Sequence, residues 1–229
     1  MTFHFLGQSG FFVRIGEHEL LIDPFLTGND LAVDKPGDFS PSHILLTHGH
    51  ADHYGDTEEI AERSGAMVVS SFEIAEYLGR KGISAHGMNP GGSFAFPFGR
   101  LKFTPAWHSN SLPDGTYGGM PMGLVLEAEG KRVYHAGDTA LFSDMTLVAR
   151  GGLDVAFLPI GDNFTMGPAD ALETVKLLQP KQVVPIHYNT FPVIEQDAAA
   201  FKRAVENETD AEVVVLAPGE RLELQFETT

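Results

Sequence analysis

The sequence predicts a layered α/β fold, a four-layer αββα sandwich formed as one domain over residues 1–229. Two patterns carry that reading. Short apolar runs separated by turn clusters open the chain, as in an antiparallel meander. A strand-then-helix alternation then follows in both halves, and two such halves bury their sheets against each other with helices outside. Size agrees: the chain has 229 residues, 43% hydrophobic and 20% charged, and layered domains of about 200–250 residues commonly form one unit.

Residues 2–6, 11–15 and 19–22 are the meander strands, divided by Gly7-Gln8-Ser9-Gly10 and Gly16-Glu17-His18. Ile44-Leu45-Leu46-Thr47 reads as a buried strand. Asp56-Thr57-Glu58-Glu59 has the spacing of a capping box, with Gly65 placed to end the helix it starts. Residues 67–70 form a strand and 72–78 a helix, and 101–107, 123–127 and 131–136 form a second set of strands. From Ala140 the order is helix, strand 155–160, helix 168–178 with Pro168 in its first turn, strand 182–186, helix 196–205 and strand 212–216. The stretches 27–42 and 109–121, rich in Gly, Pro, Ser and Asp, resist assignment. Long loops of this kind are commonly functional, and 109–121 is expected to line or cover a pocket.

Charge and cysteine count exclude whole classes. Fifteen basic residues against 31 acidic leave a formal charge of −16, which opposes nucleic acid and anionic membranes alike. No segment approaches the ~18 apolar residues of a spanning helix, and Met1-Thr2-Phe3-His4-Phe5 lacks a basic leader, so a cytoplasmic protein is expected. Without cysteine there is no thiol nucleophile, Cys-held zinc, iron–sulfur cluster or disulfide. Any metal must be held by His, Asp or Glu.

Thr47-His48-Gly49-His50-Ala51-Asp52-His53 supplies four potential metal ligands directly after a buried strand. In extended chain His48 and His50 point the same way. The small spacers let the backbone turn, so that Asp52 and His53 come round at the start of the next element. One ion could hardly use all four, and the easier division puts His48 and His50 on one ion and Asp52 and His53 on a neighbour.

This segment resembles the His-x-His-x-Asp-His signature of the metallo-β-lactamase superfamily. The resemblance implies the αββα fold, two divalent ions, and further ligands in a set order: a His ending a later strand, a bridging Asp in a Gly-Asp turn, and a final His. His108, Asp138 in Ala136-Gly137-Asp138-Thr139, and His187 after Val183-Val184-Pro185-Ile186 answer to them. His108 has the opposite strand parity from Leu101, Phe103 and Trp107, so those three are expected to face the core. His4, His18, His43, His86 and His135 read as surface residues or as supports behind the ligands. A closer similarity runs through Ile22-Asp23-Pro24-Phe25-Leu26-Thr27-Gly28-Asn29, 47–55, 136–145, 159–168 and 187–197, to a bacterial family of metal-dependent hydrolases related to the L-ascorbate-6-phosphate lactonases. Gln8 stands where that family commonly has His, and an amide cannot titrate near neutrality.

What the resemblance implies is a dinuclear hydrolase. His48, His50 and His108 would hold one ion, and Asp52, His53 and His187 the other, with Asp138 and a hydroxide between them. Asp52 and Asp138 would be the catalytic carboxylates. Asp23 either accepts the second N–H of a metal-binding His, as superfamily members use it, or starts the turn before Pro24. Asn163, in Gly161-Asp162-Asn163-Phe164-Thr165, offers an amide to a substrate oxygen, or is simply part of a turn. Zn or Mn suits such ligands best, with Fe and Ni admissible. The expected substrate is a small ester, lactone or phosphoester; a centre near +1 within an acidic protein can also hold a small anion. The competing readings are a phosphodiesterase or nuclease acting on RNA or nucleotides, and a di-iron redox protein. Membranes are not expected partners, and a homo-oligomer stays open.

Overall fold

The computed structural model describes residues 1–225. The chain opens with the expected meander, β1 (Thr2–Gly7), β2 (Gly10–Ile15) and β3 (His18–Ile22). The parallel strands β4 (His43–Leu45), β5 (Met67–Ser71) and β6 (Ala85–Met88) follow. Between them lie a single turn α1 (Ala51–Tyr54), α2 (Thr57–Ser64) and α3 (Phe72–Arg80). The second half repeats the plan: antiparallel β7 (Ser93–Phe96), β8 (Gly99–Pro105), β9 (Met122–Ala128) and β10 (Lys131–His135) lead into parallel β11 (Val155–Pro159), β12 (Gln182–Ile186) and β13 (Glu212–Val213). Its helices are α4 (Met145–Val148), α5 (Pro168–Leu178) and α6 (Ala198–Glu208).

Each sheet has seven strands, ordered β14-β1-β2-β3-β4-β5-β6 and β13-β12-β11-β10-β9-β8-β7. Both run through three antiparallel pairings and then three parallel ones. The first sheet completes this pattern only because β14 (Arg221–Glu223), from the far end of the chain, pairs with β1.

Strand alternation sorts the side chains into layers. Val155 and Phe157 of β11 face the first sheet, where Phe157 packs on Phe11 and Phe3 with centroids 4.4 and 5.0 Å apart. Ala156 and Leu158 face outward under Val175, Leu178, Phe201 and Val205 of α5 and α6. On the opposite face Ile60, Ile74 and Leu78 of α2 and α3 cover Leu21, Ile44 and Val68. The layers are therefore helix, sheet, sheet, helix. No helix of the described residues is long and apolar enough to cross a membrane.

The local signals in the sequence act unevenly in the fold. Gly65 ends α2 at φ +72°, Pro168 starts α5, and Asp197 caps α6 by accepting the Ala200 N–H. The capping box at Asp56 does not form. Its carboxylate instead accepts the Leu26 and Thr27 N–H groups, both at 2.9 Å, and fastens the loop after β3. Residues 140–144 are irregular rather than helical, because Asp138 and its neighbours are committed to a turn. β6, β7 and β14 lacked a signal: all three are sheet edges, three or four residues long, β7 and β14 with mostly exposed side chains and β6 interrupted by Gly87.

Candidate metal centre

All seven sequence-predicted donors come together at one end of the sheets. They fall into two groups, His48, His50 and His108, and Asp52, His53, Asp138 and His187, with the donor atoms of each group within 4.8 Å of one another. In the first, His48 Nε2 and His108 Nε2 lie 3.0 and 3.2 Å from His50 Nδ1. In the second, Asp138 Oδ1 is 3.2 Å from His53 Nε2 and Asp138 Oδ2 is 3.0 Å from His187 Nε2. Asp138 Oδ2 also lies 3.5 Å from His108 Nε2 and 4.0 Å from His48 Nε2, so this carboxylate stands between the groups.

The backbone explains the convergence. β4 ends at Leu45, and α1 makes one helical turn that places Asp52 and His53 back over the loop. The Gly49 N–H donates to Asn110 Oδ1 at 2.8 Å, so Asn110 pins the loop from the 109–121 stretch. β8 stops at Pro105, sooner than expected, and the alternation does not continue past it. Leu101 and Phe103 are buried as expected, but Trp107 is 69% exposed rather than in the core. What aims His108 is the pairing of loops: the Trp107 N–H donates to Thr139 Oγ1, and Trp107 O accepts the Ala140 N–H. Gly137, at φ +62°, precedes Asp138 where a Cβ would meet Met122 O at 2.7 Å, so only glycine fits that turn. His187 itself sits at φ +54° and its N–H donates to Gln8 O at 2.7 Å.

Fully buried Asp23 takes the supporting position, not a turn role alone. Its Oδ2 accepts from His53 Nδ1 at 2.8 Å and from the Thr47 hydroxyl at 2.6 Å, and Oδ1 accepts the Thr47 N–H. Since the Thr47 hydroxyl donates to Asp23, it accepts the His48 Nδ1–H at 3.0 Å. Both His48 and His53 thus turn Nε2 toward the centre. Gln8, at φ +54°, donates its amide to Asp52 Oδ2 at 2.8 Å; only the NH2 end can face a carboxylate. His135 is not a surface residue. Its buried ring donates from Nε2 to Ser9 O and accepts the Gly137 N–H at Nδ1, bracing the Gln8 and Asp138 turns against each other. No sequence signal distinguished it.

The electrostatics fit a cation. Burial and neighbouring imidazoles push His48, His50 and His108 below the usual histidine range, which leaves them neutral and able to ligate. Burial opposes charge on His53 and His187 too, but Asp138, with Asp52, outweighs it, holding His53 well above its ordinary value and His187 at about 9. Asp138 and Asp52 are in turn held far below the usual carboxylate range against the effect of burial, Asp138 chiefly by His187 and His53 and Asp52 chiefly by His53. Two carboxylates that keep protons on two buried imidazoles form a site for positive charge, and divalent ions would take the place of those protons. The buried His53 Nε2 and Asp138 Oδ1 face each other at 3.2 Å and make no hydrogen bond to any other group, which suits them as donors to a shared cation.

Above the donors opens a cavity of about 520 Å³, walled by Phe25, Phe164 and Phe191. Of the 109–121 loop only Ser109 lines it; residues 113–117 are exposed, and Asn110 holds the loop to Gly118 O and Gly49. Asn163 is exposed at φ +48° and does not line the cavity, whereas its neighbour Phe164 does.

Two stacked sheets ending in seven clustered His and Asp side chains could hold metal ions, and the chain's similarities are to metal-dependent hydrolases. Residues 18–188 match the β-lactamase superfamily domain. A UPF0173 metal-dependent hydrolase of Thermus thermophilus is 54% identical over 220 residues, covering 96% of this chain and 97% of that protein. The corresponding protein of Bacillus subtilis is 50% identical over 230 residues, covering 98% and 99%. Among solved structures, the metallohydrolase Igni18 of Ignicoccus hospitalis superposes with a TM-score of 0.91 at 39% identity, covering 99% of each chain. The chain belongs to the β-lactamase superfamily and, within it, to the UPF0173 metal-dependent hydrolases.

Proposed function

We propose that this metal-dependent hydrolase works with two divalent ions, Zn or Mn first, on a small ester, lactone or phosphoester. The observation that supports it is the position of Asp138, whose Oδ1 lies 3.2 Å from His53 and whose Oδ2 lies 3.0 Å from His187 of the same group and 3.5 Å from His108 of the other. His48, His50 and His108 would hold one ion, Asp52, His53 and His187 the other, and Asp138 both. Divalent ions, when bound, lower the pKa of water from ~15.7 towards ~7 and polarise a scissile carbonyl or phosphoryl oxygen.

The chain's own groups do the rest. Asp23 and Thr47 fix the ring orientations of His53 and His48. Asp52 presents a partly exposed carboxylate to the cavity, anchored by Gln8, where it can orient attacking water and accept its proton. With a substrate seated between them, the phenylalanine walls would displace water from the donors and so strengthen the electrostatic interactions there. The nuclease reading loses ground, since neither the net charge nor the cavity lining offers a cation to a polyanion.

The test combines metal analysis with turnover. Protein loaded with Zn or Mn should carry about two ions per chain and hydrolyse a lactone or ester in preference to a phosphodiester or a β-lactam. Full activity with one ion per chain would overturn the dinuclear reading.

A further inference from the structure

The chemistry of the cavity is divided. One end is the seven-donor centre; the other is three phenyl rings. Phe25 and Phe191 face each other with centroids 6.4 Å apart at 31°, and Phe164 lines the same space. No Lys or Arg is found among the described residues that line it. Cations elsewhere are matched to acids of their own, Lys81 to Glu58, Arg132 to Glu127, Lys176 to Glu173 and Lys202 to Glu206.

Each ring is carried by a loop that also fixes the centre. Phe25 lies two residues beyond Asp23, and its N–H donates to Asp23 O. Phe191 lies four residues beyond His187, in a loop closed by the Asn189 N–H to Ile194 O bond and by the Gln196 N–H to Asn189 side chain. Phe164 sits on a turn where Asp162 and Asn163 both have positive φ, and Met166 of that turn donates to Thr139 O beside Asp138. Phe164 is 55% exposed, and folding alone gives no reason to leave a ring in water over a polar centre. A large apolar residue on a strained, anchored turn beside the donors is placed to meet a ligand.

We infer that the substrate is a neutral ester or lactone bearing an alkyl or aryl group, which Phe25, Phe164 and Phe191 clasp while its acyl carbon faces the seven donors. A phosphate or carboxylate on that group would lose its hydration against phenyl rings with no basic side chain to replace it. In the reaction, water oxygen bonds to the acyl carbon, the acyl C–O bond breaks, and a proton of the water ends on the released alkoxide; an ester gives an acid and an alcohol, and a lactone gives a single hydroxy acid. This assignment rests on the hydrolase reading above and narrows it from small anionic or neutral substrates to neutral apolar ones.

Binding and turnover separate the two. The probes are γ-lactams, which stand in for lactones but resist cleavage, substituted with methyl, propyl, pentyl or phenyl, or with a phosphate or carboxylate at the same position, titrated into metal-loaded protein and followed by calorimetry. Affinity is expected to rise about three- to fourfold per buried methylene. It should fall roughly tenfold for the pentyl and phenyl members in Phe164→Ala and in Phe191→Ala, with Phe191→Leu retaining most of the affinity. Equal or tighter binding of the phosphate or carboxylate members, no gain along the alkyl series, or no binding at all overturns the inference. Turnover of the matching lactones is measured in parallel. Tight apolar lactam binding without lactone cleavage would sink the hydrolase reading but leave the apolar clasp intact, while cleavage indifferent to the substituent would do the reverse.

Discussion

The two sheets contribute to the centre in different ways. From the first come four donors in one unbroken stretch, His48 to His53, on a loop and a single helical turn after β4. From the second come one donor each from three separate loops, His108 beyond β8, Asp138 beyond β10 and His187 at the end of β12. Neither sheet holds a full set, since His48 and His50 converge with His108, and Asp52 and His53 with Asp138 and His187. A cation in either group would therefore tie the sheets together across the phenylalanine-rich core. The dense stretch supplies most of the donors, but the dispersed loops supply Asp138, which faces both groups.

The largest effect should come from breaking that shared position. Asp138→Ala is expected to lower kcat/KM by about 10³ or more and to leave the protein depleted of metal by elemental analysis. A variant that keeps both activity and metal would show that the groups are independent. Removing the ions tests the bridge between sheets. At metal concentrations near 1,000 times Kd, binding adds about 4 kcal/mol to stability, and at roughly 2–4 °C per kcal/mol for a chain of this size, chelation should lower Tm by about 8–16 °C. An unmoved Tm in scanning calorimetry would mean that the ions do not hold the halves together.

The contrast between sheets also explains what could be read in advance. The stretch from Thr47 to His53 announces itself because its donors are adjacent, and residue type, spacing and a preceding apolar strand all agree. His108, Asp138 and His187 carry almost no local signal; a His or Asp at a strand end is ordinary, and only their order, through the family resemblance, drew them in. Trp107 shows the limit of parity, because a strand that stops at Pro105 no longer dictates which way residue 107 points. Pairings fixed by tertiary contact were invisible. Asp56 forgoes capping for a loop 30 residues away, His135 reaches Ser9 across 126 residues, and the three phenylalanines meet only once the loops are folded. The layers were legible from alternation, but β14 was not, because three residues with charged ends are recognised as a strand only beside β1.

A smaller effect should follow from loosening the dense stretch alone. Asp23 touches no cavity residue among the donors of the second sheet, yet it fixes His53 and, through Thr47, His48. Asp23→Asn keeps the shape while its NH2 group must face either the Thr47 hydroxyl or His53 Nδ1–H. Metal affinity or kcat/KM is expected to drop about 10- to 100-fold. If competition titration with a chromogenic chelator shows loss at neither ion, ring orientation in the first sheet is set by packing and not by this carboxylate.

The smallest expected effect belongs to Gln8, which links the two contributions. Its side chain holds Asp52 of the first sheet and its carbonyl holds His187 of the second. Gln8→Ala removes only the former, so His187 keeps its backbone partner. Losing one hydrogen bond to a carboxylate corresponds to roughly three- to tenfold, and that loss should appear in kcat with metal content unchanged. Because an amide cannot take up a proton near neutrality, the pH profile of kcat should keep its shape in the variant. A shifted profile would mean that Gln8 sets the protonation of Asp52, while metal loss at unchanged kcat per bound ion would mean that it serves only to retain the cation.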